Sequence, residues 1–180
     1  MRLRALLFDL GDTIMVESTE EKDATATTQR AELFPGMAAL LHDLHRRGYP
    51  LALVADTRPG TWRNVLGQHG LTDLFAARAI SEELGTSKPD ARMFRHALEG
   101  LGLPEAVWPQ AAMVGNNLAR DIAGAAALGL VTVHMRWNDR YPARPATEAE
   151  RPRFVVRSAA ELDAIIAAFE AETAPGPGPR

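Results

Sequence analysis

The stretch "LRALLFDLGDTIM" (Leu3–Met15) is an apolar run that stops at a carboxylate, Asp9, and is followed at once by Leu-Gly-Asp-Thr. Leu6, Leu7 and Phe8 follow one another with no polar alternation, the pattern of a strand buried on both faces. Outward from this stretch the same punctuation recurs. "FPGMAALLHDLHRRG" places Met37, Leu40, Leu41 and Leu44 on one helical face and stops at Gly48, and "LALVAD" (Leu51–Asp56) is the next apolar strand. A helix around Trp62–Gln68, a strand near Ala76–Ile80 and a helix over Ala91–Leu101 follow. The strand "AAMVG" ends at Gly115, a helix is expected over Asp121–Leu128, and "VTVHM" closes the series. Ser158 and Glu161 stand in capping-box spacing before a last helix that buries Leu162, Ile165, Ile166 and Phe169. Continuous apolar strands alternating with helices predict an α/β fold: a Rossmann-like three-layer αβα sandwich around a mainly parallel sheet.

Size and composition bound the function. The chain has 180 residues, 46% hydrophobic and 24% charged, which suits one domain with a substantial core. A formal net charge of -3 gives no basic field for nucleic acid, so none is expected as a partner. The absence of cysteine removes disulfides and thiolate chemistry and fits a reducing, cytoplasmic setting. The apolar stretch before Asp9 is too short for a signal peptide, and no run approaches the roughly 20 apolar residues of a membrane helix. Oligomerisation stays open. We expect one domain over residues 1–172, with a charged, Thr-rich flap at about 14–34 and a disordered Pro/Gly tail at 173–180.

In open parallel sheets, ligands gather beyond the carboxyl ends of the strands. Four such places carry polar residues: Asp9–Thr13, Ala55–Thr57, Ser87–Lys88 and Gly115–Asp121. They supply hard oxygen ligands, a nucleophile and cations, the requirements of a magnesium-bound phosphoryl site.

These segments, "FDLGDT", "LVADT", "TSKPD" and "VGNNLARDIAGAAALG", resemble in order the four motifs of the haloacid dehalogenase-like (HAD) hydrolase superfamily, over roughly Leu3–Val133. The resemblance implies a magnesium-dependent phosphatase acting through an aspartyl-phosphate. Asp9 is then the nucleophile and Lys88 steadies it and the phosphate. Asp56, Thr57 and Arg58 hold the substrate phosphate. Asp9, the Gly11 carbonyl, Asn116 and Asp121 hold Mg2+. The intervals between motifs are too short for the family's cap domain, which needs about 50 residues.

Three positions depart from the family pattern. Gly11 stands where a second aspartate is usual, Ala55 where a hydroxyl is usual, and Asn116 where a metal-binding aspartate is usual. Asp12 is therefore a candidate acid, with an Asx-type turn as the other reading. For Asp9 and Asp121 the plainer role is a turn or helix cap, for Asp56 a turn former, for Lys88 a solvated loop lysine. The departures also leave open a catalytically weakened fold serving as a binding or regulatory module.

Overall fold

Leu6 and Phe8 point to one side of the first strand and Ala5 and Leu7 to the other, and all four are buried, as continuous apolar patterning requires. The structure is a computed structural model and describes residues 2–172; the tail expected to be disordered lies outside them. Along the chain come β1 (Ala5–Phe8), the short strands β2 (Glu21–Lys22) and β3 (Thr28–Arg30), α1 (Met37–Arg46), β4 (Leu51–Ala55), α2 (Pro59–Gln68) and β5 (Phe75–Ile80). Then follow the helical turn α3 (Ser81–Leu84), α4 (Ala91–Gly100), β6 (Ala111–Gly115), a π-helical turn (Leu118–Ile122) running into α5 (Ala123–Ala126), β7 (Val131–Met135), β8 (Phe154–Val156) and α6 (Ala159–Ala171).

Six strands form one sheet in the order β5-β4-β1-β6-β7-β8, with every neighbouring pair parallel. One face buries Phe8, Leu51 and Leu53 beneath Met37, Leu41, Trp62, Leu66, Leu162 and Ile166 from α1, α2 and α6. The other buries Leu7, Val54 and Met113 beneath Met93, Phe94, Leu98 and Ala125 from α4 and α5. Each fully buried large side chain contributes about 1.5–3 kcal/mol, so the two apolar layers hold the sandwich together. The expected three-layer fold is thus observed, and no cap domain interrupts it among the described residues. Between Asp56 and Lys88 lie only α2, β5 and α3 and their turns.

The chain leaves β1 outward through β4 and β5, crosses back, and then proceeds the other way through β6, β7 and β8. Its direction reverses between β1 and β6. At that boundary the two crossovers diverge to opposite faces and leave a crevice beyond the strand ends.

Three local features differ from the expectation. Residues 14–34 contain a hairpin, β2 against β3, which lies on α2: Thr28 N–H donates to Thr61 Oγ1 at 3.1 Å and Asn64 Nδ2 donates to the Thr28 carbonyl at 2.9 Å. A sixth strand, β8, lines the sheet edge; it is only three residues long and its Val155 is exposed, so its apolar signal is weak. Helical structure after β6 starts at Leu118, capped by Asn117 Oδ1 accepting from Arg120 N–H at 3.1 Å, so Asp121 is inside the turn and is not its cap.

Candidate active site

Asp9 is the first residue after β1, and β1 sits between β4 and β6, so its carboxylate emerges at the reversal point of the sheet. Lys88, from the loop between α3 and α4, reaches the same place. Its ammonium donates to Asp9 Oδ1 at 2.5 Å and to the Val54 carbonyl at 2.9 Å, and lies 2.7 Å from Asp121 Oδ1. Asp9, Lys88 and Asp121 are all buried. A buried cation between two buried carboxylates is costly to desolvate and persists because each charge is paired. Lys88 is therefore not a solvated loop lysine.

The electrostatics follow from that burial. Removal from water pushes the Asp9 carboxyl up from its ordinary 3.8; Lys88 pulls it down and the Asp121 charge pushes it up again, leaving it at about 6. For Lys88 burial acts downward, but Asp121, Asp9 and Asp56 outweigh it and hold the ammonium above its usual range. Thr13 Oγ1 donates to Asp9 Oδ2 at 3.3 Å.

Two neighbouring loops hold this centre in place. Asp56 Oδ1 accepts the Lys88 backbone N–H at 2.9 Å, so this aspartate ties the strand end to the lysine loop while its other oxygen faces Arg120 at 3.6 Å. Asp121 Oδ2 accepts Asn117 N–H at 2.9 Å. A Cβ on Gly115 would strike the Asp121 side chain, so only glycine at the end of β6 lets the acidic turn fold back this closely. Asn116 is buried with its Nδ2 unpartnered, while its carbonyl accepts from His134 Nε2 at 3.1 Å.

A cavity of about 430 Å³ opens over these groups. Of the residues singled out in the sequence, Asp9, Gly11, Asp56, Thr57, Arg58, Lys88, Asn116 and Asp121 all line it. Asp12 does not. Its backbone has φ of 48°, its Oδ1 accepts Glu17 N–H at 3.0 Å, its Oδ2 is 3.3 Å from Arg140 Nη1, and its carbonyl accepts from Trp137 Nε1 at 2.8 Å. These bonds are those of a turn-forming aspartate in the left-handed region. Sequence reasoning missed Glu17, which does line the cavity, and Arg120 beside it; Tyr141, from the basic, aromatic loop Arg136–Pro145, also lines it. Glu17 lies in the segment read only as a flap, and nothing in its local pattern marks it. Burial pushes its carboxyl up, Arg140 pulls it down, and the Asp12, Asp9 and Glu20 charges push it up, for a net rise.

The described residues contain no group of three or more His, Cys, Asp or Glu side chains able to hold a metal. Of the donors lining the crevice, those expected to hold a metal are the Asp9 and Asp121 carboxylates, the Gly11 carbonyl and the Asn116 amide. Turned about its last torsion, the unpartnered Asn116 amide offers an oxygen where Nδ2 now stands. All four donors are then hard oxygens, and Mg2+ typically takes one or two carboxylates and fills its remaining positions with water and substrate phosphate. The donor set fits that ion, with one charge fewer than a third carboxylate would give.

The chain is thus a doubly wound α/β protein with a lysine-paired aspartate at the reversal point of its sheet. The family model for haloacid dehalogenase-like hydrolases matches residues 3–129, and the chain belongs to that family. It is 41% identical over 113 residues to a phosphoserine phosphatase of Thermus thermophilus, covering 62% of this chain and 43% of that protein. It is 30% identical over 131 residues to a glyceraldehyde 3-phosphate phosphatase of Methanopyrus kandleri, covering 72% and 54%. The chain spans about half the length of these curated relatives. Among solved structures, a HAD-hydrolase of Bacillus subtilis bound to magnesium superposes with a TM-score of 0.74 at 19% identity, covering 92% of this chain and 99% of that one. A HAD phosphatase of Thermococcus onnurineus gives 0.73 at 19%, covering 91% and 98%. At such identities these two matches speak to the fold. No helix among the described residues is long and apolar enough to cross a membrane.

Proposed function

We propose that the protein is a magnesium-dependent phosphomonoester hydrolase in which Asp9 attacks phosphorus and forms an aspartyl-phosphate. The observation that carries this reading is the Lys88 ammonium set between Asp9 and Asp121 at the reversal point of the sheet. Lys88 keeps the nearer Asp9 oxygen anionic and in place, leaving Oδ2 as the attacking atom, and its charge opposes the build-up of negative charge on the phosphoryl oxygens. Thr57 and Arg58 at the start of α2 stand where the transferred group's oxygens are held, a role that falls on backbone N–H groups and Arg58 because Ala55 has no hydroxyl. Asp56 acts through the Lys88 backbone and keeps the lysine loop in register. Asp9, the Gly11 carbonyl, Asn116 and Asp121 are the residues that would hold Mg2+, which when bound polarises the phosphoryl group and offsets its charge.

The phosphatases among the relatives support phosphate esters as the substrate class. Among the described residues no cap domain covers the cavity, which leaves it open to esters larger than the phosphate itself. The competing reading, a binding module with little turnover, draws on Gly11, Ala55 and Asn116. A panel of phosphorylated metabolites and aryl phosphates, assayed with magnesium and then with a chelator, separates the two. We expect turnover that the chelator removes and that Asp9→Asn lowers to background while its circular dichroism stays native. Turnover by Asp9→Asn near the wild-type rate would rule out the proposed nucleophile.

A further inference from the structure

We propose that Glu17 is the proton-transfer carboxylate of this site, entering from the loop after β1 the space left by the missing side chain of Gly11. The inference rests on the phosphatase reading above, and it begins from a collision. A Cβ built on Gly11 would strike Glu17 Oε1 and would lie 2.8 Å from its Cδ and 3.0 Å from its Cγ. Gly11 has no positive φ, so the backbone does not require glycine there; what the missing side chain provides is room for this carboxyl group. An acidic side chain on residue 11 and the carboxyl of Glu17 would thus compete for one place. The sequence keeps one of them.

Glu17 is built into that place. Its N–H is held by Asp12 Oδ1 at 3.0 Å, its Oε2 pairs with Arg140 Nη1 at 2.6 Å, and its side chain remains 21% exposed at the cavity that Asp9 and Lys88 line. With Oε2 accepting from Arg140, Oε1 is the oxygen free to carry a proton. As Asp9 Oδ2 bonds to phosphorus, the bond from phosphorus to the ester oxygen breaks, and that oxygen takes the proton from Glu17 Oε1 and leaves as an alcohol. The resulting Glu17 carboxylate then takes a proton from water as the water oxygen bonds to phosphorus. The bond from phosphorus to Asp9 breaks, inorganic phosphate leaves, and both side chains return to their starting states.

Leaving-group dependence tests this. We compare kcat/KM for simple alkyl phosphates and for p-nitrophenyl phosphate, whose phenolate departs without a proton, in the wild type, in Glu17→Gln, and in the double variant Glu17→Ala, Gly11→Asp. A positioned acid is worth about 10²–10⁴-fold, so Glu17→Gln should lose that factor on alkyl esters and far less on the aryl ester. The double variant, which puts a carboxyl back on residue 11 with its rival removed, should recover part of the alkyl activity. Equal losses on both esters in Glu17→Gln, or no loss on either, would overturn the assignment. So would a double variant that melts like the wild type yet recovers none of the alkyl activity lost by Glu17→Gln. A wild-type protein inert toward every ester would instead overturn the phosphatase reading itself and the inference with it.

Discussion

Asp9 places function and stability in opposition. Its carboxyl is held at about 6 in the fold against an ordinary 3.8, so between those values the folded protein binds a proton that the unfolded chain has released. The contribution of Asp9 to stability is then fully present below about pH 4 and is lost as pH rises through about 6. At the pH where the carboxylate is ionised, as the proposed attack on phosphorus requires, it weighs against the metal-free fold. Asp9→Asn removes the ionisation while Lys88 keeps Asp121 as a partner. We expect the metal-free Asp9→Asn protein to melt higher than the wild type at pH 8, by about 2–4 °C for each kcal/mol recovered, with the gap closing as pH falls to 5. Melting curves across that range check the sign. A gap that widens toward pH 5 would mean that burial does not dominate the Asp9 environment.

At the scale of single elements, the end of β6 shows how a backbone requirement positions an acid. Gly115 is the last residue of the strand, and the π-helical turn after it brings the Asp121 side chain back against the Gly115 α-carbon. Such turns recur at functional sites because they reset which side chains face the cavity. Gly115→Ala should push Asp121 away from Lys88. The expected cost is about 1–3 kcal/mol of stability and a kcat/KM loss of about 10²-fold, measured by melting and steady-state kinetics on one preparation.

The hairpin β2–β3 makes a second element-scale case. Its bonds to α2 run through Thr61 and Asn64, and Lys22, Ala26 and Thr28 form one wall of the cavity. Asn64→Ala removes the donor to the Thr28 carbonyl and should cost about 1 kcal/mol, with faster amide exchange confined to residues 20–31. Exchange unchanged there would mean that the hairpin is held by other contacts.

Over the whole molecule, the parts of the fold that could be read from the sequence are those whose burial leaves no choice of pattern. β1, β4 and β6 are apolar throughout because both faces are covered, β5 and β7 are interrupted only by Arg78 and by Thr132 and His134, and Met37, Leu40, Leu41 and Leu44 repeat at helical spacing because α1 covers one of those faces. β8 was missed because an edge strand with an exposed Val155 needs no such run. The hairpin was missed because it is held by hydrogen bonds to α2 and buries little. At the candidate site, Asp9, Lys88 and Asp121 were legible through strand-end position and order along the chain. For Asp12 the sequence left an acid and an Asx-type turn open, and its contacts to Glu17 N–H and Arg140 are those of the turn; Glu17 was not legible, since it fills a space that is defined only once Gly11 is in place.

Everything proposed for this molecule depends on a covalent bond between Asp9 and phosphorus, and that bond can be sought directly. Enzyme turning over a phosphate ester in magnesium is quenched and treated with borohydride, which reduces an aspartyl-phosphate to homoserine and leaves free carboxylates unchanged. Peptide mass spectrometry then locates the change. Homoserine is expected at position 9 alone, dependent on both substrate and magnesium. Homoserine at another aspartate, the corresponding alcohol at a glutamate, or a pre-steady-state burst of product with position 9 still aspartate, would contradict the proposed nucleophile.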